Sequence, residues 1–138
     1  MYSKILIPVD FTEINRRCIE AAQALADEDT NIVLLHVIEA LGNLDDPEDR
    51  QFYDRLEEKA GGEMAVLADL AETRGLTVAN EVRIGKRIQT ILQVAAEQEA
   101  TLIIMSSHVP NPGRPLERFG SISHSVAALA RIPVFLIK

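Results

Sequence analysis

A chain of 138 residues, 47% hydrophobic and 25% charged, with one cysteine and a net charge of −7, is predicted to form one globular domain over residues 1–138, held by its own core without disulfides or a structural metal. No apolar run nears the ~20 residues of a membrane span, and the opening MYSKILIPVD lacks a signal peptide's apolar stretch and cleavage site, so the expected location is cytoplasmic, with no membrane insertion. The acidic balance disfavours nucleic-acid backbones as partners; yet residues 39–63 hold nine acids against three bases, whereas 83–138 hold seven bases against three acids and can attract a small anion locally.

KILIPVD (4–10) is a short apolar run of the kind found in buried strands. Apolar positions 14, 18, 21, 22 and 25 then predict a helix over 12–27, with Asp10 or Thr12 as its cap and Cys18 as a buried small hydrophobe on its inner face. TNIVLLHVI (30–38) is a second strand, and residues 40–48, containing Gly42, Asn43 and Pro47, read as a loop. Apolar residues at 52, 56, 60, 64, 67, 70 and 71 mark a long amphipathic helix ending before Gly75, with Gly61 and Gly62 suggesting a kink or close packing. LTVANEVRI, a helix over 86–98, TLIIMS, a helix over 121–130 and IPVFLIK complete the chain. Five strands alternating with four helices imply a parallel sheet with right-handed crossovers, an α/β three-layer sandwich of the doubly wound kind.

Ligands of such sheets bind beyond the carboxyl ends of the strands. That rule selects Asp10, His36 to Ile38, Gly85 and the loop after strand four, with Lys86 and Arg87 at the mouth of the proposed site. The loop, SSHVPNPGRPLERFGSISHS (106–125), leads into the helix predicted from Ser121. The helix's free N–H groups and positive dipole end suit a phosphate; Gly120 admits close approach, and Ser121 and Ser123 offer hydroxyls. A plain helix cap accounts for the Gly-Ser pair as well. His36, His108 and His124 have no metal-ligand spacing; His36 is expected to be hydrogen-bonded at its strand end, and His108 has the better claim to a ligand. No Ser-His-Asp order, Walker-type lysine, paired carboxylates or redox cysteine pair is present, which favours binding over catalysis, with slow ATP hydrolysis as the most to be expected.

KILIPVDFTE, VLLHVIE, ATLIIMSSH and GSISHSVAALARIPVFLIK, in that order and spacing, resemble the universal stress proteins across essentially the whole chain. The resemblance implies a flavodoxin-like, Rossmann-like sheet of strand order 3-2-1-4-5 and a homodimer through the last strand, residues 132–138. One branch of that family binds ATP and another does not. In binders an aspartate ending strand one and backbone after strand two hold the adenosine, matching Asp10 and Val37, and a loop of pattern G-x-x-G, nine residues, then G-S or G-T wraps the phosphates. Here Gly120-Ser121 match, but Ser106 and Val109 stand where glycines are sought, and the spacing from Ser106 to Gly120 is one residue longer. Gly113, Arg114 and Arg118 offer flexibility and charge at shifted positions. The nucleotide site so implied takes in Pro8, Val9, Asp10, Val37, Gly85, Ser106, His108, Gly113, Arg114, Gly120, Ser121 and Ile122, with ATP or AMP as ligand, with or without Mg2+. The alternative is a nucleotide-free dimeric interaction module with a vestigial loop, acting through an unknown protein partner.

Overall fold

The computed structural model describes residues 1–40, 44–107 and 122–138. Strand β1 (Lys4–Pro8) leads to α1 (Ile14–Leu25), β2 (Asn31–Glu39), α2 (Pro47–Thr73), β3 (Thr77–Gly85), α3 (Arg87–Glu97), β4 (Leu102–Ser106), α4 (Ile122–Leu129) and β5 (Val134–Ile137). The five strands form one parallel sheet in the order β3-β2-β1-β4-β5, the expected Rossmann-like architecture.

The central strands are apolar along their middles because both of their faces are covered there. Ile5, Ile7, Ile32, Leu34, Leu102 and Ile104 point to the side packed by α1 and α2, together with Cys18, Ile19 and Met64. The alternate residues Leu6, Val33, Leu35, Val37, Ile103 and Met105 point to α3 and α4, where Ile91, Val94 and Val126 meet them. The period of two along each strand thus splits one apolar run into two cores.

Several boundaries differ from the sequence expectation, each for a local reason. Helix α2 begins inside the predicted 40–48 loop: Asp46 caps it by accepting from the Glu48 N–H at 2.9 Å, Pro47 occupies its first turn, and Glu48 and Asp49 complement the dipole. Its end is a Schellman motif, with Gly75 at φ 86, Gly75 N–H donating to Glu72 and Leu76 N–H to Ala71. Helix α3 closes in the same way on a non-glycine residue, Glu99 at φ 54. At α1, neither Asp10 nor Thr12 acts as the cap: Glu13 stands at that position without a side-chain bond, and the first turn is tightened by Asn15 N–H to Thr12 and Arg16 N–H to Glu13.

Helix α2 runs without interruption through Gly61 and Gly62, and a Cβ at either meets nothing within 4 Å. Close packing is therefore not why glycine stands there. Exchanging both for alanine is expected to stabilise the fold by about 2 kcal/mol from backbone propensity alone, read as a raised midpoint in urea. An unchanged midpoint would contradict this expected gain.

Cys18 is fully buried among Ile5, Ile19 and their neighbours, as expected. Burial first, then the negative charge of Asp10, pushes its thiol from 9.0 up to about 12. Below pH 9 both folded and unfolded chains hold this proton and stability is unaffected. Above it the unfolded chain releases the proton first, so stability falls with rising pH until about 12. At pH 10 the parent is expected to lose about 1.4 kcal/mol relative to its own value at pH 8 that Cys18→Ala does not lose, measured by urea unfolding of both.

Candidate functional site

The carboxyl ends of β1, β2 and β4 open into a cleft of about 300 Å³. Strand β1 and its extension contribute Pro8, Val9 and Asp10; β2 contributes Leu35, His36 and Val37; β4 contributes Met105 and Ser106. Arg87 and Ile91 close it from α3, and Ile122 and Ser123 from the start of α4. This is the point where strand order reverses: β1 connects to β2 on one side, while β4 lies on its other side. The chains leaving β1 and β4 diverge there and leave a crevice. A second cavity of about 340 Å³ lies beside it toward α2, sharing His36, Val37 and Arg87 and adding Phe11, Lys59 and Glu63.

The walls of the first cleft are mostly apolar, and its polar groups are few and separate. Asp10 is exposed at the rim, and its Oδ1 accepts from Thr12 N–H at 3.1 Å and Thr12 Oγ1 at 2.6 Å, an Asx turn that fixes the carboxylate against the chain. His36 Nδ1 lies 2.8 Å from the Val9 carbonyl. A carbonyl only accepts, so the hydrogen sits on Nδ1, and the histidine is hydrogen-bonded at its strand end as anticipated. Its ring lies against Phe11, with centroids 4.3 Å apart and the planes tilted by 35°. Arg87 is half-exposed and, among the described residues, pairs with Glu39 at 4.0 Å, a distance that leaves its guanidinium within reach of a ligand at the mouth. Ser106 and Ser123 supply hydroxyls from β4 and α4. An apolar slot with one carboxylate, one imidazole, two hydroxyls and one guanidinium suits a flat heterocycle joined to a polar, anionic tail.

Of the residues selected from sequence, Pro8, Val9, Asp10, Val37, Ser106 and Ile122 come together in this cleft. Gly85 does not line it. A Cβ on Gly85 would stand 2.6 Å from Thr90 Oγ1, so the close approach of α3 already accounts for a glycine there. His108, Gly113, Arg114, Gly120 and Ser121 lie outside the described residues. Leu35, Ile91 and Met105 were not anticipated, though strand parity could have found two of them: Leu35 and Met105 share the sheet face of Val37. Among the described residues no three His, Cys, Asp or Glu side chains gather as a metal site, and no helix is long and apolar enough to cross a membrane.

Comparison with known proteins agrees with this architecture. The model of the universal stress protein family matches residues 1–138. The chain belongs to the universal stress protein family. It is 26% identical to universal stress protein G of Escherichia coli O157:H7, with both chains fully covered. It is 25% identical to universal stress protein MJ0577 of Methanocaldococcus jannaschii, covering all of this chain and 96% of the relative. The solved structure of MJ0577 superposes with a TM-score of 0.83 at 26% identity, covering 100% and 96% of the two chains. Two further members share the fold at lower identity. One was solved in complex with cAMP (TM-score 0.75, 15% identical, covering 99% and 97%). The other, from Archaeoglobus fulgidus, was solved in complex with dAMP (0.73, 18%, 99% and 98%).

Proposed function

We propose that this universal stress protein is a cytoplasmic signalling or stress-response protein that binds an adenine nucleotide, ATP or AMP, with or without Mg2+, in the cleft at the carboxyl ends of β1, β2 and β4. The observation that carries this reading is the convergence of Pro8, Val9, Asp10, Val37, Ser106 and Ile122 from four separate elements on one slot of about 300 Å³. The purine lies between the apolar walls, Asp10 accepts from the ribose hydroxyls, and the phosphates run toward Arg87 and the start of α4. Family members of this fold in complex with cAMP and dAMP support the choice of an adenine ligand.

Thermal unfolding with AMP, and with ATP plus Mg2+, tests this directly. Ligand at one hundred times its dissociation constant is expected to add about 2.7 kcal/mol. No shift from either nucleotide at millimolar concentration would leave the chain as a nucleotide-free interaction module.

That second reading is favoured by one specific feature, the large hydrophobics Phe52 and Val66 standing 55% and 69% exposed on α2. Both readings share a homodimer through residues 132–138. Strand β5 is the sheet's edge, and Val134, Phe135, Leu136 and Ile137 are all at least partly exposed, an arrangement that pairing with a second copy would cover. Sedimentation at micromolar concentration is expected to give twice the chain mass, and a monomer would contradict the pairing.

A further inference from the structure

Asn15, the second residue of α1, is fully buried. Its Oδ1 accepts two backbone hydrogen bonds, from Phe11 N–H at 2.8 Å and from Asp10 N–H at 3.1 Å. Because a backbone N–H only donates, these bonds fix which way the amide is turned. The oxygen faces residues 10 and 11, and Nδ2 is left buried with no hydrogen-bond partner among the described residues. An apolar side chain of similar volume would relieve the unpaired Nδ2 but leave the amides of residues 10 and 11 without their acceptor, so what asparagine contributes here is the hold of its oxygen on that turn.

What the oxygen holds is a backbone conformation the sequence would otherwise avoid. Phe11 lies at φ 64, the left-handed region that a bulky side chain rarely occupies. The turn places Asp10 on the rim of the cleft and lays the Phe11 ring on His36, which is itself bonded to the Val9 carbonyl. The segment leaving β1 is therefore tied twice, by its backbone to Asn15 and by its ring through His36 to Val9.

We infer that Asn15 is the positioning residue of the nucleotide cleft: it touches no ligand, and it holds the 10–11 turn so that the Asp10 carboxylate meets the sugar without first having to be ordered. This rests on the proposed role of Asp10. Pre-organisation of this kind appears as affinity, since a loop already in its bound conformation loses less freedom on binding.

The test compares AMP binding by calorimetry in the parent, Asn15→Leu and Asn15→Asp. The leucine variant removes the acceptor and the unpaired donor together, and is expected to unfold cooperatively yet bind AMP about tenfold more weakly or worse. The aspartate variant keeps an acceptor for both amides at a helix N-terminus and is expected to bind within about threefold of the parent. If leucine does not fold, Asn15→Ser, too short to reach both amides, takes its place with the same expected loss. Parent-like affinity in the leucine or serine variant, or an equal loss in the aspartate variant, would overturn the inference. A parent that binds no nucleotide would instead refute the proposed ligand. Hydrogen exchange then reads the hold itself: the Phe11 amide is expected to lose protection in Asn15→Leu, and unchanged protection would overturn it.

Discussion

Asp10→Ala is expected to weaken AMP binding about 10- to 100-fold, the usual range for removing a charged hydrogen-bond partner from a ligand. The carboxylate is exposed, and its bonds to Thr12 are local, so losing those two bonds is expected to move the unfolding midpoint without ligand far less than it moves affinity. This separation of affinity from stability is what distinguishes a ligand contact from a structural one. Asp10→Asn sharpens the test, since an amide keeps an acceptor for the Asx turn but loses the charge; its affinity is expected to lie between those of the parent and the alanine variant. Calorimetric titration of all three with AMP gives the order. Equal affinities would remove Asp10 from the site.

Gly85→Ala is expected to destabilise the protein by about 1–3 kcal/mol, the range for overpacking a well-filled site. The added carbon would stand 2.6 Å from Thr90 Oγ1. Thr90 is buried, sits in the first turn of α3, and is held by its N–H to the Lys86 carbonyl at 2.9 Å, so its stiff β-branched side chain has little room to turn. Thr90→Ala removes the obstructing oxygen. In the double variant the penalty of Gly85→Ala is therefore expected to shrink toward zero, giving a coupling comparable to the single-site loss in a double-mutant cycle read by urea unfolding. A coupling near zero would mean that Gly85 is needed for its backbone and not for its lack of a side chain.

The Gly85 case shows where reading residues in sequence loses its hold. A glycine at a strand's carboxyl end looks the same whether a ligand or a neighbouring helix approaches it, and only the position of Thr90 decides between them. The alternation of elements was legible, because fully buried parallel strands and one-sided helices leave different apolar periods. Strand order was not contained in that periodicity; it followed from the family resemblance. The start of α2 was written in Asp46-Pro47-Glu48, but the same residue types mark loops, and capping depends on which side chain turns back.

For the site, the strand-end rule selected Asp10, His36, Val37 and Ser106, which line one cleft, because that rule is topological; it also selected Gly85, which does not line it. Met105 and Leu35 escaped the rule because they lie one or more residues inside the strand ends, and it is their parity toward α3 and α4 that brings them to the cleft. Asn15 escaped for a different reason. In sequence it is a polar residue in the first turn of a helix, an ordinary place for asparagine; its burial and its reach back to residues 10 and 11 exist only in three dimensions.

The central claim is that an adenine nucleotide occupies the cleft between β1, β2 and β4, and amide-resolved NMR titration of the full chain with AMP tests it most directly. The account predicts saturable shifts concentrated at Val9, Asp10, Val37, Ser106 and Ser123, with β3 and the outer face of α2 unmoved. Shifts absent at millimolar AMP, or gathered away from these residues, would contradict it.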